Sequence, residues 1–173
     1  MSDGYVCPEC QLDYDTLAAA ALGMHIRPIA SAVRSRLTGV DDGIVRTRPE
    51  PAVWSAIEYA AHLADTYDAF VDMVHRMPKG ASMEDFFWDP DERAVEQAYN
   101  ERPVPSVLDE LDANSARLAD AFDALSIADW EIIAQFPWGE RDLLTMGRNA
   151  VHEGVHHAQD IDTVIERLSP ASG

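Results

Sequence analysis

The run Val151-His152-Glu153-Gly154-Val155-His156-His157-Ala158-Gln159-Asp160 gathers three histidines and two acids within ten residues. His152 and His156, four apart, overhang the same turn of a helix and can chelate one divalent ion. With Glu153 between them the string also reads His-Glu-x-x-His, the metalloprotease pattern whose glutamate is the general base. That pattern needs a third ligand downstream. Its extended form asks for Gly at 159 and His at 162, where this chain has Gln159 and Asp162. Glu166 lies farther along the same helical stretch, about 15 Å from His156 at the usual rise, out of reach of a shared ion. A metallohydrolase is therefore the third of three readings.

A ligand is on offer upstream. His62 sits in the apolar segment Ala60-Ala61-His62-Leu63-Ala64. A solitary buried histidine is ordinarily a core residue bonded to a carbonyl; opposite a histidine pair it becomes a ligand. His62, His152 and His156 would form a three-nitrogen site with open positions, suited to Zn²⁺, with Ni²⁺ or Fe²⁺ as alternatives. Glu58 and Asp65, a turn either side of His62, would orient its ring or face solvent. With His152 at zero on a helical wheel, His156 lies about 40° round and His157 about 140°, so His157 is expected off that site. Arg148 and Asn149 border the pair and are candidates for binding the carboxylate or amide groups of a cofactor. Glu153 is a candidate general base, with an exposed ion pair as its ordinary alternative. His25 and His75 read as ordinary half-buried histidines.

The chain has two cysteines, Cys7 and Cys10, in one Cys-x-x-Cys. This is half of a four-ligand zinc site, and a second metal site of Cys7, Cys10 and His157 is a candidate. His25 or a second chain are other sources of the missing ligands. Alternatively the head folds over the mouth of a bundle and offers thiolate to the histidine-bound metal. A redox dithiol and inert thiols complete the alternatives.

Helices must position these groups. Leu17, Ala20, Ala21, Met24, Ile29, Val33 and Leu37 recur at three- and four-residue steps, predicting a helix over 15–38, with Asp15 as its cap and a kink or split at Pro28. A second helix is expected over 51–77, a third from Pro105 to Leu125 and the last over 143–168. A short helix near 92–99 and an extended piece at 131–136 lie in two long aromatic connections. No two segments alternate convincingly as strands. The expectation is an all-α, antiparallel four-helix bundle over 15–170, with a Cys-x-x-Cys head over 1–14.

The chain has 173 residues, 47% of them hydrophobic, enough for one well-packed domain. Its formal net charge of -18 repels phosphate backbones and acidic lipids, so neither nucleic acid nor membrane is an expected partner. The opening MSDGYVCPEC carries no basic and apolar leader, and no run approaches the roughly 18 apolar residues of a spanning helix. A cytoplasmic protein is expected. Bundle faces of this kind often pair, so a homodimer is a candidate assembly.

Two stretches resemble the DinB/YfiT-like superfamily. VWSAIEYAAHLAD, residues 53–65, is similar to that family's second helix, with one ligand histidine after a tryptophan. NAVHEGVHHAQDI, residues 149–161, is similar to its last helix, where a His-x3-His pair is followed by glutamine, here Gln159. The resemblance spans about residues 12–168 and implies a DinB-like bundle with His62, His152 and His156 as ligands. It also implies a metal-dependent transferase or isomerase using a small thiol such as mycothiol, bacillithiol or glutathione and an electrophilic substrate. Mycothiol comes first, because a single lysine, Lys79, among arginines fits a GC-rich actinobacterial genome. The alternative is a non-catalytic, stress-response protein whose metal only stabilises the bundle.

Overall fold

A computed structural model describes residues 4–169; positions 1–3 of the expected head and residue 170 of the expected bundle lie outside the described residues. Among the described residues six α-helices and one β-hairpin follow one another: α1 Leu22–Leu37, α2 Asp42–Arg46, α3 Ala56–Arg76, α4 Pro90–Glu96, α5 Val104–Asp123, β1 Ile133–Phe136, β2 Gly139–Asp142 and α6 Leu143–Leu168. The long helices α1, α3, α5 and α6 form the four-helix bundle. Both α1 and α3 pack against both α5 and α6. The core is aliphatic and small where the helices approach, as at Ala60, Ala61, Ala64 and Ala150, all fully buried. No helix among the described residues is long and apolar enough to cross a membrane.

Helix ends follow local chemistry. Ser55 and Glu58 form a reciprocal capping box at α3: Ser55 N–H donates to Glu58 Oε2 at 2.8 Å, and Glu58 N–H donates to Ser55 Oγ. Trp54 therefore stays outside the helix, which begins later than periodicity alone predicts. Asp142 caps α6 by accepting from Thr145 N–H at 2.6 Å. The first helix also starts late. Residues 14–16 and 19–21 form two separate 3-10 turns, and Asp13, not Asp15, caps the first. α1 runs on through Pro28, which faces solvent.

The hairpin corrects the expectation of no paired strands. β1 and β2 are antiparallel, with Phe136 opposite Gly139 and Ile133 opposite Asp142. Ala134 and Phe136 point inward while Ile133 and Gln135 face out. Gly139, at φ 108°, takes a left-handed turn that a side chain resists. Met83 N–H donates to Gln135 O at 3.0 Å, so the long connection after α3 docks on the hairpin. Phe136 and Trp138 stack at 5.4 Å, and Phe87 meets Trp138 edge-on. The two aromatic connections thus form a single cover over one part of the bundle.

Candidate metal centres

Helix α6 carries two interleaved i, i+4 pairs, and the structure sends them to different partners. His62, Glu153 and His157 each offer a ligand atom within 4.8 Å of the others. His157 Nε2 lies 3.1 Å from Glu153 Oε2, and His62 Nε2 lies 3.7 Å from the same oxygen. Tetrahedral coordination with bonds of about 2.0–2.1 Å puts neighbouring N and O ligands about 3.3 Å apart, and the two distances bracket that edge. The nitrogen facing the cluster, His62 Nε2, also lies 3.3 Å from Thr66 Oγ1, while the buried Nδ1 on the other side of the ring has no hydrogen-bond partner among the described residues. His157 Nδ1 meets Asp160 Oδ2 at 2.8 Å, the carboxylate–imidazole pairing that orients ligand histidines. Donor set, spacing and supporting carboxylate fit a divalent ion.

Electrostatics agree with a tight cluster. Burial would raise the Glu153 carboxyl, but the imidazoles of His157 and His62 hold it well below the ordinary range. Burial would lower His157, but Asp160 and Glu153 outweigh it and raise it to about 9.

The second pair turns to the head. Cys7, Cys10, His152 and His156 also lie within 4.8 Å of one another. Cys7 is 3% exposed, and its Sγ sits 3.8 Å from His156 Nδ1. Backbone N–H groups of Cys10 and Glu9 donate to that sulfur and, with burial opposing, pull the thiol down to about 6. Burial pushes the Cys10 thiol up. Both cysteines are free thiols.

The expected trio of His62, His152 and His156 is therefore divided. His157, expected with the cysteines, faces His62, while His152 and His156 face Cys7 and Cys10. Residues one apart on a helix differ by about 100°, so a one-residue shift of the pair that faces α3 exchanges the partners. Glu153, expected as a base, is a ligand-type group beside His62. Neither carboxylate flanking His62 reaches it. Glu58 binds Arg48 and Asp65 binds Arg93 and Tyr99. Arg148 donates to Leu17 O at 3.0 Å, and Asn149 accepts from Tyr14 Oη at 2.9 Å. Gln159 and His75 are exposed and His25 is half-buried. Asp160 was missed by sequence reasoning, although its place three residues after His157 and four after His156 is the available signal.

A cavity of about 530 Å³ opens over His62, Glu153 and His157. Its walls are Trp54, Phe86, Trp88 and Trp138, with Asn149 and His152 as further polar groups. Trp54 packs on His62 at 5.0 Å and is fixed by its Nε1–H donating to Asp91 at 2.8 Å. No arginine or lysine lines this cavity among the described residues.

Fold and clusters define the class: a four-helix bundle with candidate metal ligands grouped around its last helix. The chain belongs to the DinB superfamily, whose family profile matches residues 29–161. No curated protein sequence matches the chain. Solved structures share the fold, among them these two. YfiT from Bacillus subtilis, described as a probable metal-dependent hydrolase with an unusual four-helix bundle topology, superposes with a TM-score of 0.79 at 12% identity over 87% of each chain. A mycothiol-dependent maleylpyruvate isomerase superposes with a TM-score of 0.68 at 19% identity, over 86% of this chain and 62% of that one.

Proposed function

We propose that the chain is a metal-dependent enzyme that activates a small thiol, mycothiol first among them, for transfer to or isomerisation of an electrophilic substrate. The observation that carries this reading is the His62–Glu153–His157 cluster at the base of an aromatic cavity. Three protein ligands leave a coordination position open. A divalent ion bound there would lower the pKa of an incoming thiol so that it reacts as thiolate at neutral pH. His62, Glu153 and His157 would hold the ion, and Asp160 would fix the His157 ring. Trp54, Phe86, Trp88 and Trp138 would exclude water from the reacting groups, while Asn149 would offer a hydrogen bond to the thiol's polar portion. The mycothiol dependence of the isomerase named above supports the choice of thiol.

The cavity also bears on the substrate. With no arginine or lysine in its lining, it suits a neutral or aromatic electrophile better than a dicarboxylate such as maleylpyruvate. Incubating zinc-loaded protein with mycothiol, bacillithiol or glutathione and a neutral bimane electrophile tests this. Metal-dependent conjugation, lost in His62→Ala, is the expected result. No rate above the uncatalysed reaction with any of these thiols would leave the non-catalytic alternative. The His-Glu-x-x-His protease reading loses support because His152 and His156 turn to thiols.

A further inference from the structure

We propose that Cys7, Cys10, His152 and His156 form a second metal site, a closed four-ligand zinc site that clamps the N-terminal head onto α6. The four donors come from two segments far apart in sequence and lie within 4.8 Å of one another. A tetrahedral zinc with sulfur at about 2.3 Å and nitrogen at about 2.0–2.1 Å sets ligand sulfur and nitrogen about 3.6 Å apart; Cys7 Sγ and His156 Nδ1 are 3.8 Å apart. Two thiolates and two imidazoles favour zinc over the hard oxygen-seeking cations.

The head is built to present its sulfurs. Val6 and Asp13 form an antiparallel bridge. Inside it Cys7 N–H donates to Leu12 O and Gln11 N–H donates to Cys7 O, each at 3.0 Å. Gln11 takes a left-handed conformation at φ 58° to close this turn. On the other side, His156 is oriented through its remaining nitrogen: Nε2 lies 3.3 Å from Glu9 Oε2 and 3.7 Å from Asp160 Oδ2. His152 Nε2 is buried and has no partner among the described residues.

Four protein ligands leave no open position, so this site holds structure and does not bind substrate. It is nevertheless coupled to the cavity. His152 is both a ligand here and part of the cavity wall, and Tyr14, on the clamped head, packs on His152 and donates to Asn149. Asp160 reaches histidines of both clusters.

Zinc analysis of the full chain and two variants tests the proposal. Wild type is expected to carry two equivalents, and Cys7→Ser/Cys10→Ser to lose one while keeping the other. His62→Ala is expected to lose the other one. With cobalt(II) in place of zinc, a thiolate-to-metal charge-transfer band is expected in wild type and in His62→Ala and absent from the serine variant. Loss of that band and of one equivalent with the cysteines supports the clamp even if His62→Ala changes nothing, an outcome that would count only against the proposed catalytic centre. Full zinc content in the serine variant overturns the clamp, as does a Cys7–Cys10 disulfide found by mass in the protein as purified. Circular dichroism of the serine variant confirms that the bundle is folded.

Discussion

At the scale of single residues, Asp160 has the widest reach. Its Oδ2 lies 2.8 Å from His157 Nδ1 and 3.7 Å from His156 Nε2. Removing a carboxylate that orients a ligand histidine ordinarily weakens metal binding about 10–100-fold. Asp160→Asn keeps the shape and loses the charge, so zinc affinity at the His62 cluster is expected to fall by about that factor; competition with a chromogenic chelator reads it. Unchanged affinity would remove Asp160 from the site. Glu153→Gln replaces an anionic ligand by a neutral amide, and the zinc equivalent that depends on His62 should be lost while cobalt–thiolate absorption at the head persists. Every side chain in these clusters was visible in the sequence as a chemically capable residue. Their partition was not, because it turns on one residue step of α6 against α3 and on where the head folds, which are both long-range facts.

Helix and strand boundaries show where local signals suffice. The last helix has an aspartate cap and a continuous apolar stripe, and periodicity gives its limits directly. The hairpin has four-residue strands and gains its stability from Met83, Phe86 and Phe87 of a distant connection, so alternation within it was too short to read. The packing of α6 rests on a glycine. A Cβ on Gly154 would collide with the Tyr67 hydroxyl and approach Ile29 Cγ2 to 2.9 Å, and Tyr67 is fully buried. Gly154→Ala is expected to destabilise the fold by about 1–3 kcal/mol, although alanine is the better helix former; a Tm equal to or above wild type would contradict the close approach. The start of α3 supplies a pH-dependent prediction. Burial would raise the Glu58 carboxyl, but Arg48 at 2.6 Å and the Ser55 N–H outweigh it and hold it low. A carboxyl depressed in the folded state stabilises fully above its unfolded pKa of about 4.3 and loses that contribution as pH falls through the folded value. Glu58→Gln should cost about 1–3 kcal/mol near neutrality. The gap in Tm between variant and wild type should close as pH drops below about 4, and a gap that stays constant down to pH about 3 would show that the carboxylate charge is not the cause.

For the molecule as a whole, the composition and the two clusters combine into one thermodynamic expectation. A formal charge of -18 makes the compact state resist its own field, and the ligand-bearing region adds Glu9, Glu153 and Asp160 close together. Divalent cations relieve that repulsion where they bind, and an ion that binds only the folded chain stabilises it by mass action, about 2.7 kcal/mol when free metal is 100 times its dissociation constant. For a domain of this size each kcal/mol moves Tm by roughly 2–4 °C. Saturating one site is therefore expected to raise Tm by about 5–11 °C over chelator-treated protein. The contributions separate because the two centres use different side chains. In Cys7→Ser/Cys10→Ser, zinc should still raise Tm through His62, Glu153 and His157, and in His62→Ala through the thiolates of the head. Magnesium at the same concentration should screen charge without matching the donor sets, since it prefers six oxygen ligands and keeps its water, and should give a much smaller shift. Equal shifts from zinc and magnesium in wild type would mean that the protein responds to cationic charge alone, and the ligand clusters on α6 would then have no part in its stability.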